Sequence, residues 1–166
     1  MSPEAYLVRA ACWLSATILL YFLMNGAQLF ETAVIVPKWT ASPPNSLQLF
    51  RGTYGLDFKK FWIVAHSLHE VSFLLALAFC WQLPQVRKAL LALLLAHFAV
   101  RAWTLGYFAP RIIEFQRLAN EGVISEDLAA EAARWRQLNY LRVGVFVLVS
   151  LGLLPLLVRV LRLLPG

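Results

Sequence analysis

Apolar and polar positions divide the chain into four long apolar stretches, at about 5–36, 61–83, 89–108 and 138–164, parted by polar segments. At about 1.5 Å of rise per helical residue, each can cross a hydrocarbon core of about 30 Å. No segment alternates apolar and polar residues with a period of two, so the stretches are predicted to be helices rather than strands. The predicted fold class is all-α integral membrane: an antiparallel four-transmembrane-helix bundle with structured interfacial loops, forming a single domain over 1–166. The first stretch is longer than a crossing needs and is predicted to tilt or to project beyond the bilayer. Pro37 is predicted to stop it and Pro84 to end the second, with the third ending before Pro110. Pro155 should kink the fourth, a kink that neighbouring helices must accommodate.

The two long connections are not simple linkers. Residues 37–60 hold Trp39, Pro43, Pro44, Phe50, Tyr54 and Phe58, a mixture suited to a folded cap. In 111–119, Ile112, Phe115 and Leu118 recur at helical spacing against Arg111, Glu114 and Arg117, which predicts an interfacial helix begun by Pro110. Ser125 precedes an Ala/Glu/Arg-rich stretch and is placed to cap a helix running into the fourth span. No internal repeat or low-complexity tract is present. No small-x-small pattern closes the first apolar run, so it reads as an uncleaved span.

Polar positions inside the apolar stretches carry the functional signal. All three histidines, His66, His69 and His97, fall there, with Glu31, Glu70 and Arg101. A charge at mid-membrane costs at least about 2.5 kcal/mol, so such groups tend to serve a purpose. His66, His69 and Glu70 share one helix face, as do His97 and Arg101. Gln28, Glu31 and Thr32 form a strip on the first span with Asn25 a turn earlier, and Trp135, Asn139 and Arg142 align on the fourth. In an antiparallel bundle these groups converge on the long-loop side, roughly 6 to 16 Å deep at the helical rise. The opposite half is nearly devoid of them.

Several chemistries suit such a layer. His66, His69, Glu70 and His97 are candidate ligands for iron, copper or zinc, since facing bundle helices can supply such donors. The His-x-x-His-Glu spacing is less specific than Glu-x-x-His. Without a metal, the same groups can act as general acid and base, with an arginine stabilising an enolate or phenolate. The catalytic candidates are Glu31, His66, His69, Glu70, His97 and Arg101. The candidates for substrate binding are Asn25, Gln28, Trp103, Asn139 and Arg142. For Arg101 and Arg142, pairing with Glu70 or Glu31 is the expectation. A structural alternative is a buried network that fixes helix packing. Cys12 and Cys80 lack CxxC spacing and read as packing residues.

Composition agrees with the membrane reading: 60% of residues are hydrophobic and only 14% charged, against about 25% charged in a typical soluble domain. The net charge of +6 is spread over loops and helix ends, so no nucleic-acid partner is expected. Arg9, Arg87, Lys88, Arg159 and Arg162 lie on the short-loop side, which puts both termini in the cytoplasm. Trp39, Trp62 and Trp135 suit interfacial anchoring.

Two segments carry a family resemblance. The first span runs Gly26…Glu31…Val36-Pro37-Lys38-Trp39, and the fourth opens Trp135-Arg-Gln-Leu-Asn139-Tyr-Leu-Arg142. With the chain length and the number of spans, this resembles the anthrone oxygenase-like family of small four-helix membrane proteins. The resemblance implies oxidation of an activated carbon on an aromatic, polyketide-like substrate by molecular oxygen. The leading expectation is therefore a multi-pass membrane oxidoreductase that takes a lipophilic small molecule from among membrane lipids, with a homo-oligomer left open. The alternatives are a cofactor-free membrane isomerase and a small transporter or accessory subunit.

Overall fold

The computed structural model describes residues 2–122 and 127–165. Four helices carry the fold: α1 (Pro3–Trp39), α2 (Lys59–Phe79), α3 (Pro84–Glu121) and α4 (Leu128–Leu161), each long and apolar enough to cross a membrane. They contain 37, 21, 38 and 34 residues, so α2 is shorter than the others by roughly 20 Å or more at 1.5 Å per residue. Ser2 caps α1, its hydroxyl accepting the Ala5 N–H at 3.2 Å, and Pro3 fits the first turn where no N–H is needed.

The prolines behave differently from expectation. Pro37 does not stop α1, and Pro110 does not open a separate interfacial helix, because each follows a five-residue π turn, Glu31–Ile35 and Thr104–Phe108. The Val36 N–H bonds the Glu31 carbonyl and the Ala109 N–H bonds that of Thr104, five residues back in each case. In an α-helix a proline ring clashes with the carbonyl four residues behind it. Widening the preceding turn by one residue takes that carbonyl out of the way. The helix therefore passes both prolines, and the predicted helix at 111–119 is the end of α3. Pro84 likewise does not end α2, which stops at Phe79. It begins α3, where its missing N–H costs nothing. The predicted cap Ser125 lies outside the described residues; α4 begins at Leu128, well before 138.

Around the bundle α2 packs on α1, α1 on α4 and α4 on α3, whereas α2 and α3 make the least backbone contact of neighbouring pairs. The main core gathers Leu14, Tyr21, Phe73, Leu90, Phe146 and Leu153, all fully buried. A second core lies where α1 and α3 run past their prolines: Trp39, Leu47, Phe50, Phe108, Phe115 and Trp135. The Trp39 ring sits 5.7, 5.3 and 5.0 Å from Phe50, Phe115 and Trp135, and the Trp135 ring N–H donates to the Phe108 carbonyl at 3.3 Å. Leu47 and Phe50 reach this core from a 3-10 turn, Asn45–Phe50. Burial of these rings, at about 0.5 to 1.5 kcal/mol per aromatic pair beyond their area, holds the cap. The exposed Arg111–Glu131 and Arg117–Glu114 pairs add at most about 1 kcal/mol each.

Two glycines of α4 separate packing from propensity. At Gly144 an added Cβ would meet nothing within 4 Å, whereas at Gly152 it would lie 2.9 Å from Leu93 Cδ2 of α3. Gly144→Ala should therefore stabilise the helix by about 0.5 to 1 kcal/mol. Gly152→Ala should gain less, because the end of the Leu93 side chain must shift to admit the methyl group. Thermal unfolding of the two variants, followed by circular dichroism, checks the contrast.

Candidate functional site

The interior of the bundle is polar in one layer. On α1, Thr17, Tyr21, Asn25, Gln28 and Thr32 are all buried, and their spacing of four, four, three and four residues forms one stripe. Facing it are His66, His69 and Glu70 from α2, His97 and Arg101 from α3, and Asn139, Arg142 and Ser150 from α4. His69 and His97 are fully buried.

The centre is a chain of four side chains from three helices. The Tyr21 hydroxyl and His97 Nδ1 are 2.8 Å apart. His97 Nε2 stands 3.5 Å from Glu70 Oε1, which is long for a hydrogen bond but within reach of a small side-chain shift. Arg101 Nε donates to the same Glu70 oxygen at 2.6 Å, as expected for Arg101. With the proton of a neutral imidazole on Nε2, facing Glu70, Nδ1 accepts from the tyrosine. His69 lies against both aromatic partners, its ring 4.8 Å from that of Tyr21 and 4.7 Å from that of His97, and His66 follows at 5.6 Å. Both ring nitrogens of His69, Nδ1 of His66 and Nε2 of His97 are buried without a hydrogen-bond partner. Buried polar atoms are nearly always paired, and this concentration makes the histidine layer the candidate site. Tyr21→Phe removes the partner of His97 Nδ1 and should cost about 1 to 2 kcal/mol, read as a lower midpoint in denaturant titration.

A second group sits around Arg142. Its Nη2 donates to Asn139 Oδ1 at 2.7 Å, and Asn139 Nδ2 donates to Thr32 Oγ1 at 3.0 Å. The guanidinium lies over the Phe108 ring at 4.6 Å. The expected pairing of Arg142 with Glu31 or Glu70 is not made: among the described residues no carboxylate oxygen lies within 4.0 Å of it. Glu31 is half-buried beside it. Gln28 Oε1 is buried and unpaired.

Other candidates stand elsewhere. Asn25 donates to Ser150 Oγ at 2.8 Å and joins α1 to α4. Trp103 packs in the second core, its ring 5.1 Å from Phe108, away from the histidines. Tyr21 was not among the sequence candidates, although its place in the stripe Thr17-Tyr21-Asn25-Gln28-Thr32 is visible in the spacing. As for iron, copper or zinc, no three His, Cys, Asp or Glu side chains among the described residues converge on a common point. His97 and Glu70 are turned towards Tyr21, Arg101 and each other. An open apolar groove of about 550 Å³ between α1 and α4, lined by Leu29, Thr32, Tyr140, Gly144 and Leu148, borders the Arg142 group at Thr32 and includes none of the histidines. Below Thr17 the core is apolar, through Leu14, Ala76, Leu90, Leu94 and Leu153. No family model matches the chain, and neither does a curated protein or a solved structure.

Proposed function

We propose that the chain is a membrane-embedded enzyme that removes a proton from an activated C–H group of a lipophilic aromatic small molecule. The observation that carries this reading is the Tyr21–His97–Glu70–Arg101 chain with the unpaired His69 beside it. In this reading the bundle is antiparallel and lies in the bilayer with its short connections in the cytoplasm. The outward faces support insertion: Leu23, Leu68, Leu95 and Leu148, one on each helix, are 62, 56, 70 and 67% exposed. The antiparallel sense is supported by Asn25 meeting Ser150 while Thr32 meets Asn139. Substrate reaches the layer between α2 and α3, the pair in least contact, where Glu70 and Arg101 keep 26 and 17% of their side-chain surface exposed.

His69 is the base. The C–H bond breaks, the proton goes to His69, and the electron pair stays on the substrate as an enolate or phenolate. Glu70, held by Arg101, fixes the tautomer of His97 that accepts from Tyr21 at rest, and when the enolate forms the single Tyr21 O–H turns from His97 Nδ1 to donate to that oxygen. Returning the proton to a different atom is an isomerisation. Reaction of the carbanion with oxygen is the outcome that the family resemblance implies, and for anthrone it balances as anthrone plus dioxygen giving anthraquinone plus water. A conducting role is disfavoured by the apolar half below Thr17.

The test uses purified protein in lipid nanodiscs with anthrone as probe, under nitrogen and in deuterated buffer. Deuterium should enter the activated methylene at least about a hundredfold faster than without protein, as for a positioned acid–base pair, and the rate should survive a chelator. Exchange no faster than in empty nanodiscs sinks the proposal. Loss with chelator and recovery with zinc would replace the histidine base by metal chemistry. Admitting oxygen and following anthraquinone then separates oxygenation from isomerisation.

A further inference from the structure

We infer that Arg142 is the receptor for an anionic oxygen, carboxylate or phenolate, of a lipophilic ligand. A guanidinium inside a protein keeps its charge, and a buried charge without compensation is among the costliest arrangements a fold can hold. Arg142 comes close to that position: it is half-buried, with its Nε shut off from solvent and no carboxylate among the described residues in ion-pair contact. Its hydrogen-bond partner is the neutral Asn139 oxygen at 2.7 Å, its Nε is buried with no partner, and Glu31, the acid whose field reaches it, stands beyond ion-pair distance. The site is also prearranged. Thr32 accepts from Asn139 Nδ2 at 3.0 Å, which turns the amide oxygen towards Arg142. Phe108 covers one face of the guanidinium, so a ligand meets its N–H edge, the edge that suits a carboxylate. Thr32 and Phe108 belong to the two π turns, a distortion often found at functional sites. Both interruptions therefore deliver residues to one arginine. The unpaired Gln28 Oε1 on the Thr32 face would accept a ligand hydroxyl.

This deepens the proposed function by naming the substrate's polar end, but binding is measured without turnover, so either can fail alone. Anthracene-9-carboxylate and its methyl ester are titrated by fluorescence into wild-type protein in phosphatidylcholine nanodiscs. The acid should bind about tenfold or more tighter than the ester, a difference of one good charged contact. R142Q should abolish that preference while leaving ester binding unchanged, which also reports that the variant is folded. R142K, which keeps the charge but not the fork, should retain part of it. Equal binding of acid and ester by the wild type overturns the inference, whether or not R142Q can be purified, and so does a preference that R142Q leaves intact. Competition by millimolar inorganic phosphate overturns the lipophilic class of ligand.

Discussion

Replacing Glu70 by Leu should destabilise the bundle by about 3 kcal/mol, the largest stability loss expected for a single polar side chain here. Glu70 Oε1 accepts from Arg101 Nε at 2.6 Å and faces His97 Nε2 at 3.5 Å. Its removal leaves Arg101, only 17% exposed, as a charge without a counter-charge, a situation that costs about 3 to 5 kcal/mol when burial is complete. Partial exposure places the figure at the low end. Arg101→Met should cost about as much through the stranded carboxylate. The double variant Glu70→Leu/Arg101→Met should be far less damaged than the sum, since replacing a whole buried pair by apolar groups is often neutral or better. Reversible unfolding of the four proteins in one detergent gives the coupling energy. Additive losses would mean that the pair is not a unit.

The largest effect on chemistry should come from His69→Gln, which removes the base of the proposed reaction and is expected to lower proton abstraction from anthrone by about 10²- to 10⁴-fold, the usual share of a general acid–base group. Glutamine is close to the imidazole in size but takes up no proton, so folding should be nearly unchanged while turnover collapses. His97→Gln should be milder, because a glutamine amide can still accept from the Tyr21 hydroxyl and donate towards Glu70. His66→Gln should be milder too, since His66 lies one ring further from Tyr21. A His66 variant as inactive as the His69 variant would move the base by one turn of α2.

How much of this was legible in the sequence differs from element to element. Hydropathy alone locates four helices, because long apolar runs have few other solutions. Their ends are harder. Their composition makes Pro37 and Pro84 look like terminators and Pro110 like the start of a separate helix, yet Pro84 starts a helix and the other two are passed by π turns, and a π turn has no residue signature apart from what surrounds it. The face shared by His66, His69 and Glu70, and that shared by His97 and Arg101, follow from helical spacing, and the Glu70–Arg101 pair was an expected one. The bond from Tyr21 to His97 was not foreseen. A tyrosine in an apolar run counts as hydrophobic, and only its four-residue steps from Thr17 and to Asn25 betray that its hydroxyl faces the same layer. Arg142 shows the opposite error: complementary charge and similar depth suggested Glu31, but register decides contact, and the side chain turns to Asn139 and Phe108 instead.

In the proposed membrane-embedded state, the uneven character of the four helices has a consequence for biogenesis. Over its apolar 18-residue stretch α2 has a mean hydropathy of 1.5, against 1.8, 1.6 and 2.4 for the corresponding stretches of α1, α3 and α4, and α2 carries two histidines and a glutamate. Leaving the translocon alone, it would bring those groups into lipid at the cost known for intramembrane polar residues. Its partner is already made by then: α1 offers Thr17, whose hydroxyl donates to the Ser72 carbonyl at 2.8 Å, and Tyr21, whose ring lies against His69. α1 and α2 would therefore integrate as one hairpin, with α1 held at the lateral exit until α2 arrives. Glu70 would wait for Arg101 until α3 follows, so the first hairpin is the stage at which quality control would meet an unneutralised acid.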